Sequence, residues 1–353
     1  MSDAQYSSLV PYGWDDEEQA RYEASSGPGT IPGRVVRVDR GRCEVVLAGD
    51  GDVRLASIEI PATAAEQPCT GDWVAVSTND TLTAVLPRRT AIVRASASRR
   101  SDGQVLAANI DTVLIAVSMT VEPDLARIER FLSIAWESGA QPLLVLTKSD
   151  AAGVDAAEMM DAVAAVAPGV DVLAVSAVTG DGVDVLTACL GFTTALLGQS
   201  GAGKSTLVNA LLGEQQQAVR ETRQDGKGRH TTTTRELILI PGAGVLIDTP
   251  GLRGVGMHDA AEGVKQTFAD IEDLAAGCRF GDCGHAGEPG CAVQAAIAGG
   301  TLSERRLSSY RKLLRENAWE ASRNDPRLRA EHDKYWKQMA HEGNAAAALK
   351  GRR

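Results

Sequence analysis

The sequence predicts a three-part chain: a small β-barrel, a doubly wound α/β domain and a helical module built around a Cys/His cluster. Three observations carry this. Short apolar runs broken by Gly- and Asp-containing turns fill residues 33–95. From about residue 105, continuous apolar runs alternate with segments of helical spacing. After about residue 255 the buried runs stop, and Cys278, Cys283, His285 and Cys291 crowd into one stretch. A length of 353 residues suits two or three domains. The expected segments are 1–29, 30–100, 101–255 and 256–353.

Residues 1–29 hold one basic and six acidic side chains, with no apolar period. Excess charge on low hydrophobicity predicts a disordered acidic tail. In residues 33–95, Val35, Val36 and Val38 precede a turn at Arg40-Gly41. Cys43, Val45 and Leu47 precede Gly49-Asp50-Gly51-Asp52, and Val53, Leu55 and Ile58 precede Gly71 to Val76. Four or five strands in so short a span suggest a closed barrel, and an OB-type barrel suits the length.

The α/β domain opens on the buried strand Asp111 to Val117, followed by a helix over Leu125 to Ser138. Pro142 to Leu146, Val172 to Val175, Thr193 to Leu197 and Gly244 to Ile247 supply further buried strands. Apolar strands alternating with helices predict a largely parallel sheet covered on both faces. Ligands of such sheets bind at the carboxyl ends of the strands, where each motif below falls.

Gly198-Gln199-Ser200-Gly201-Ala202-Gly203-Lys204-Ser205-Thr206 follows a strand and opens a helix. It fits the phosphate-binding loop G-x-x-x-x-G-K-[ST] in its required context. Its backbone N–H groups and the helix N-terminus suit phosphate. Lys204 is placed to reach the β and γ phosphates and Ser205 to ligate Mg²⁺. Further on, Asp248-Thr249-Pro250-Gly251 ends another strand. There an Asp can hold Mg²⁺ and the Gly251 N–H can meet the γ-phosphate. Between them lies Gly226 to Thr234, a polar glycine-rich segment in which Thr232 or Thr233 can close over Mg²⁺ as a switch.

Thr147-Lys148-Ser149-Asp150 resembles the guanine-reading motif [NT]-K-x-D. The Asp150 carboxylate can accept from guanine N1–H and N2–H₂, a donor pair adenine lacks. Thr147 replaces the usual Asn and is expected to lose a positioning contact. Ser176-Ala177 resembles the second base-contact loop. Both base-reading segments precede the phosphate loop, the reverse of the ordinary order. The same site can arise from a circularly permuted chain, because the strands need only occupy the same sheet positions.

Cys278, Cys283, His285 and Cys291 have the spacing C-x₄-C-x-H-x₅-C. Three thiolates and an imidazole suit one closed, structural tetrahedral Zn²⁺ site. Six cysteines in all, with no secretory leader, fit a reducing cytoplasm rather than a disulfide scaffold. No run of ~18 apolar residues predicts a membrane span.

Taken together, these motifs resemble one family, the ribosome small-subunit-dependent GTPase A family of circularly permuted GTPases. The resemblance covers about residues 30–320, including Ala107-Ala108-Asn109-Ile110-Asp111 ahead of the first α/β strand. It implies an OB-fold, a permuted GTPase domain and a zinc-bearing helical domain. It also implies late maturation of the small ribosomal subunit, with hydrolysis of GTP to GDP stimulated by that subunit. His230 is similar to the family's switch-loop histidine, which implies a water-positioning residue or base; Leu252, after Gly251, cannot orient water.

The net charge of −10 argues against a simple basic nucleic-acid binder. The charge is segregated: −5 over 1–29, +2 over 30–100, −13 over 101–300 and +6 over 301–353. RNA contact is therefore expected at Arg88, Arg89, Arg94, Arg99 and Arg100 beside the barrel, and at Arg305, Arg306, Arg311, Lys312 and Arg315 near the C-terminus. With Trp73 the only aromatic in 33–95, the barrel suits backbone and shape recognition rather than base stacking. The expected partners are GTP or GDP and the small subunit with its rRNA, for a monomer without membrane association. A GTP-gated binding module with incidental hydrolysis and a permuted GTPase of the large subunit are the competing functions.

Overall fold

The computed structural model describes residues 6–49, 51–94, 103–151, 155–213, 235–248 and 260–324. It divides into two compact units, one within 1–92 and 105–254, the other within 93–104 and 255–353. Among the described residues no helix is long and apolar enough to cross a membrane.

Residues 6–29 correct the expected disordered tail. A 3₁₀ helix (Ser7–Tyr12) leads into α1 (Asp16–Ser25). Asp15 caps α1 by accepting from the Glu18 N–H at 2.8 Å, and Asp16, Glu17 and Glu18 in the first turn suit the helix dipole. Trp14 meets Tyr6, Tyr22 and Trp73 edge-on, with centroids 5.0–5.9 Å apart. Glu18 is fully buried between Arg21 (2.7 Å) and Arg89 (3.2 Å). The segment is ordered by a few aromatic anchors and paired acids, which a search for apolar periodicity overlooks.

The barrel consists of β1 (Thr30–Asp39), β2 (Arg42–Ala48), β3 (Val53–Glu59), β4 (Trp73–Ser77) and β5 (Leu82–Val85). The order is β3-β2-β1-β4-β5, antiparallel throughout. A parallel bridge from Glu59 to Thr81 brings the two outer strands together, giving the OB-type connectivity. Val35, Val45, Leu47, Ile58, Val74 and Val76 fill the interior. A two-stranded ribbon of β6 (Ala91–Arg94) and β7 (Gln104–Ala108) follows.

The second sheet contains β8 (Thr112–Ser118), β9 (Gln141–Thr147), β10 (Val172–Val175), β11 (Thr193–Gly198), β12 (Glu236–Ile240) and β13 (Gly244–Asp248). Its order is β10-β9-β8-β11-β13-β12. All neighbours are parallel except the edge pair β12–β13, a hairpin strand not expected from the sequence. The helices are α2 (Leu125–Glu137), α3 (Ala156–Ala164), α4 (Val183–Cys189) and α5 (204–213). Leu207 and Val208 of α5 are fully buried against Leu114, Leu196 and Leu246 of the sheet. The chain moves outward from β8 to β10, then returns to the other side of β8 with β11. That reversal puts a ligand crevice at the carboxyl ends of β8 and β11.

The barrel joins this sheet at the opposite, amino-terminal edge. Arg34 of β1 is fully buried and lies 4.9 Å over the Trp73 ring. It donates to Thr193 Oγ1 (2.8 Å), to the carbonyls of Asn109 (3.3 Å) and Gly71 (3.4 Å), and to the Tyr12 carbonyl. Burial pulls its pKa down to about 10, partly offset by Asp111 and Glu18. Asp111 accepts from the Thr193 N–H (2.8 Å) and from Arg89 (3.2 Å), tying the starts of β8 and β11 to the same junction.

In the second unit, α6 (Ala261–Thr267), α7 (Ala269–Ala275), α8 (Ala292–Ala298) and α9 (Glu304–Asn324) enclose Val264, Phe268, Ile271, Val293, Leu307 and Leu313.

Arg34→Met should remove four donations, three of them to buried acceptors, and lower stability by about 2–4 kcal/mol. Urea unfolding followed by tryptophan fluorescence checks this. Arg37→Met, on the same strand and paired at the surface with Asp39, should change stability by less than ~0.5 kcal/mol.

Candidate functional site

The phosphate loop leaves β11 at Gly198, whose φ of +148° and position exclude a side chain: a Cβ there would lie 2.6 Å from the Ala116 carbonyl. Gly201 and Gly203 have φ of +81° and +77°. The loop arches over its own lysine, because Lys204 Nζ donates to the carbonyls of Gly198 (2.8 Å) and Gln199 (2.6 Å). Ala202 is buried, and Ser205 and Thr206 are exposed in the first turn of α5. Asp248, the last residue of β13, is in register with Leu196 of β11, which sets it beside the root of the loop.

The base-reading segments end β9 and β10, two and three places along the sheet from β11. They are bonded to the phosphate loop directly. Thr147, buried at the end of β9, donates from Oγ1 to the Ala202 carbonyl at 2.7 Å, with the Val117 carbonyl at 3.2 Å. Lys148, at φ +62°, donates from Nζ to the Gly201 carbonyl at 2.8 Å. The expectation that Thr147 loses a positioning contact is therefore corrected: its short hydroxyl makes one to the loop itself.

Asp150 is exposed, and one of its oxygens accepts from Ser176 Oγ at 2.6 Å. Ser176 is fully buried, and its hydroxyl oxygen accepts from the N–H groups of Val178 (3.3 Å) and Thr179 (3.1 Å). The Ser149 N–H donates to the Val175 carbonyl at 3.2 Å, and Ala177 packs on the core. The sequence marks Ser176-Ala177 only as a base-contact loop and does not disclose the bond from the Ser176 side chain to Asp150. A serine one residue past a buried strand is a weak signal by itself. His230, Thr232, Thr233, Gly251 and Leu252 lie outside the described residues, as do Arg99 and Arg100.

In the helical unit, Cys278, Cys283, His285 and Cys291 bring four ligand atoms within 4.8 Å of one another. Cys278 Sγ lies 3.8 Å from Cys291 Sγ and 3.6 Å from His285 Nδ1, and Cys291 Sγ lies 3.5 Å from the same nitrogen. This donor set could hold a metal ion. His285 sits at φ +58°, and Gln294 of α8 donates to its carbonyl. Partial burial opposes thiolate formation at Cys278, but N–H groups of Val293 and Ala292 and bonds from the neighbouring thiols outweigh it. Its pKa falls below the ordinary thiol range.

The basic side chains expected to meet RNA divide in two. Arg88 donates from Nε and Nη2 to both oxygens of the buried Asp72, each at 2.7 Å, and pairs with Glu66. Burial disfavours its charge, yet Asp72 raises its pKa above the ordinary value. Arg89 is held by Glu18 and Asp111. Arg306 is 3% exposed, donates at 2.7 Å to each oxygen of Asp270 and stacks on Phe268 at 4.8 Å. Arg88, Arg89 and Arg306 are thus corrected to internal ties, because a charge already paired in the fold is not available to phosphate. Arg305, Lys312 and Arg315 are exposed, while Arg94 and Arg311 are half-buried.

A phosphate loop after the fourth strand of the α/β domain, bonded to base-reading segments that precede it in sequence, defines a circularly permuted P-loop GTPase. The RsgA GTPase family model matches residues 85–258. The small ribosomal subunit biogenesis GTPase RsgA of Streptomyces avermitilis is 55% identical over 350 residues, 97% of this chain and 94% of the relative. The protein of the same name from Streptomyces coelicolor is 56% identical over 357 residues, 99% of this chain and 97% of the relative. A crystal structure of YjeQ from Thermotoga maritima matches with a TM-score of 0.62 at 25% identity, over 82% of this chain and 98% of that one. That of YloQ, described as a circularly permuted GTPase, shares the fold with a TM-score of 0.58 at 24% identity, over 82% and 95%. The chain belongs to the RsgA GTPase family.

Thr147→Val should cut the bond between the base-reading strand and the phosphate loop. We expect GTP and GDP to bind about fivefold more weakly, the equivalent of one neutral hydrogen bond, with the preference for GTP over ATP unchanged. Thr147→Ser should bind normally, and displacement of a fluorescent nucleotide reads both.

Proposed function

We propose that this protein hydrolyses GTP as an assembly factor in late maturation of the small ribosomal subunit, and that the subunit stimulates the hydrolysis. The observation that carries the reading is the direct bonding of Thr147 and Lys148 to the phosphate loop. It joins guanine recognition to phosphate recognition, in a chain alike from end to end to relatives named as small-subunit biogenesis GTPases.

Asp150 accepts the two N–H donors of guanine, held in orientation by Ser176, and the stem of Lys148 covers base and ribose. Backbone N–H groups of residues 198–205 cradle the phosphates, with Lys204 turning from its carbonyl partners to the β and γ oxygens. Ser205, Asp248 and one of Thr232 or Thr233 would hold Mg²⁺, which neutralises charge developing on those oxygens. The Gly251 N–H meets the γ-phosphate. With Leu252 unable to orient water, His230 positions the attacking water or accepts its proton.

The metal of the helical unit is one structural zinc. Bond lengths of about 2.3 Å to sulfur and 2.0–2.1 Å to nitrogen give tetrahedral edges of about 3.8 Å between thiolates and 3.5 Å from thiolate to imidazole. The separations at Cys278, His285 and Cys291 agree with both edges. All four protein positions are filled, so the ion would organise the 278–291 loop rather than act on substrate. Arg94, Arg305, Arg311 and Lys312 are the remaining phosphate contacts to rRNA, for a cytoplasmic monomer. On this reading residues 30–100 are an N-terminal barrel, 101–255 a permuted GTPase domain and 256–353 a zinc-bearing helical domain with a basic end.

GTP hydrolysis measured with purified small subunits, large subunits and neither tests the function. Stimulation by small subunits alone is expected, and equal rates in all three overturn it. His230→Ala should lower the stimulated rate about a hundredfold while leaving GTP affinity intact. Elemental analysis should find zinc, and Cys278→Ser should abolish it and lower the unfolding temperature of the helical unit.

A further inference from the structure

Among the described residues of the helical unit, two large aromatic side chains are exposed, Phe280 at 45% and Trp319 at 49%. An exposed aromatic alone means little. Phe280 is distinguished by its setting. It lies between Cys278 and Cys283, in the metal-ligating loop, and its carbonyl accepts from the Cys283 N–H at 3.2 Å. The Arg279 N–H donates to the Gly290 carbonyl at 3.1 Å, which anchors the other side of the turn. The Arg279 guanidinium lies 5.5 Å from the centre of the Phe280 ring. Its stem passes over Gly290, where a Cβ would come within 3.0 Å of it. The ring is therefore presented on a braced turn, with a cation at its face and glycine on either side of the pair at Gly277 and Gly281.

A basic surface adjoins this turn. Arg311 of α9 donates from Nη2 to the Gly284 carbonyl at 3.0 Å, joining the helix to the loop. Arg305, Ser308, Lys312, Arg315 and Trp319 recur along α9 every three or four residues and are all exposed, which puts them on one face. Carboxylates also occur on these elements, Asp282 and Glu288 in the loop and Glu304, Glu316 and Glu320 on α9, while the cation at the ring face is Arg279.

We propose that Phe280 is a stacking platform for an unpaired base of RNA, with Arg279 alongside and with Arg305, Lys312 and Arg315 holding the flanking phosphates. The proposal rests on the reading of this protein as an rRNA-contacting factor and specifies which form of RNA the helical unit takes. A flat ring engages the face of a base, and in a duplex those faces are already stacked on one another. An aromatic flanked by arginine and glycine suits a base over a protein side chain, since a protein contact would need a broader apolar surround. The surface differs in kind from the barrel, where the one aromatic, Trp73, is buried.

The test uses the full chain and a short labelled RNA of mixed sequence, single-stranded or annealed to its complement, read by fluorescence anisotropy. Phe280→Ala and Phe280→Leu should each weaken single-strand binding about tenfold and leave duplex binding within about twofold. Phe280→Trp should restore it, with quenching of the new indole on binding. Lys312→Gln with Arg315→Gln should weaken both forms and flatten the salt dependence. Zinc content is measured for every variant, and Phe280→Leu decides the matter if the alanine variant loses metal. Single-strand affinity unchanged in Phe280→Leu overturns the platform, as does equal loss toward both RNA forms. Unchanged single-strand affinity with weakened small-subunit association also overturns it and assigns Phe280 to a ribosomal protein. Subunit-stimulated GTPase activity of the unsubstituted chain is followed in parallel. Its absence counts against the assembly function, whereas its presence beside normal RNA binding by Phe280→Leu counts against the platform alone.

Discussion

The parallel pairing of β8 with β11 is the seam on which the rest of this molecule depends. Its register runs from Thr194 opposite Thr112 to Gly198 opposite Ala116. On one side of it the chain has built the strands that end in the base-reading segments. On the other it builds the strands that end in the phosphate loop and Asp248. Parallel alignment forces the carboxyl ends of both halves to one edge, and the hydroxyl of Thr147 then reaches Ala202 across the join. Sequence order is immaterial to that result, because hydrogen bonding between strands records position and direction only.

The same seam explains how the barrel can be rigidly attached without obstructing the site. Arg34, Asn109, Asp111 and Thr193 meet at the amino ends of β8 and β11, a full strand length from the nucleotide loops. A buried guanidinium is costly to desolvate and is tolerable only where acceptors surround it. Four donations and a tryptophan face supply that here. The N-terminal helical segment contributes the Tyr12 carbonyl and Glu18, so it acts as a third party to the junction rather than an appendage.

Charge is allocated by pairing, not by local density. The arginines that open the barrel exit and the one at position 306 look alike in sequence to those that face solvent. Arg88 and Arg306 instead each grip one carboxylate with two parallel bonds, an arrangement that guanidinium geometry favours. Of the described cations expected to meet RNA, the exposed ones, Arg305, Lys312 and Arg315, lie along α9, which Arg311 joins to a braced aromatic turn. The net charge of −10 therefore describes neither surface well.

By itself the sequence determined the parts that act through backbone and local chemistry. The phosphate loop, the strands over 111–117, 142–146, 172–175 and 193–197, and the Cys278 to Cys291 ligand set are all contiguous patterns. Glycines, periodic apolar residues and ligand spacing are legible wherever the physics is local. The permuted order was legible too, because motif order is a property of the chain. Only the tertiary structure decided which polar side chains are partnered, since partners such as Arg34 and Thr193, or Asp270 and Arg306, are far apart in sequence. It decided that Thr147 gains a contact where its type suggested a loss, and that Ser176 steadies Asp150. It decided that residues 6–25 fold, because Trp14 and Tyr22 find a barrel to pack on only once the barrel exists. Side-chain pairing across the fold depends on distances the sequence does not contain.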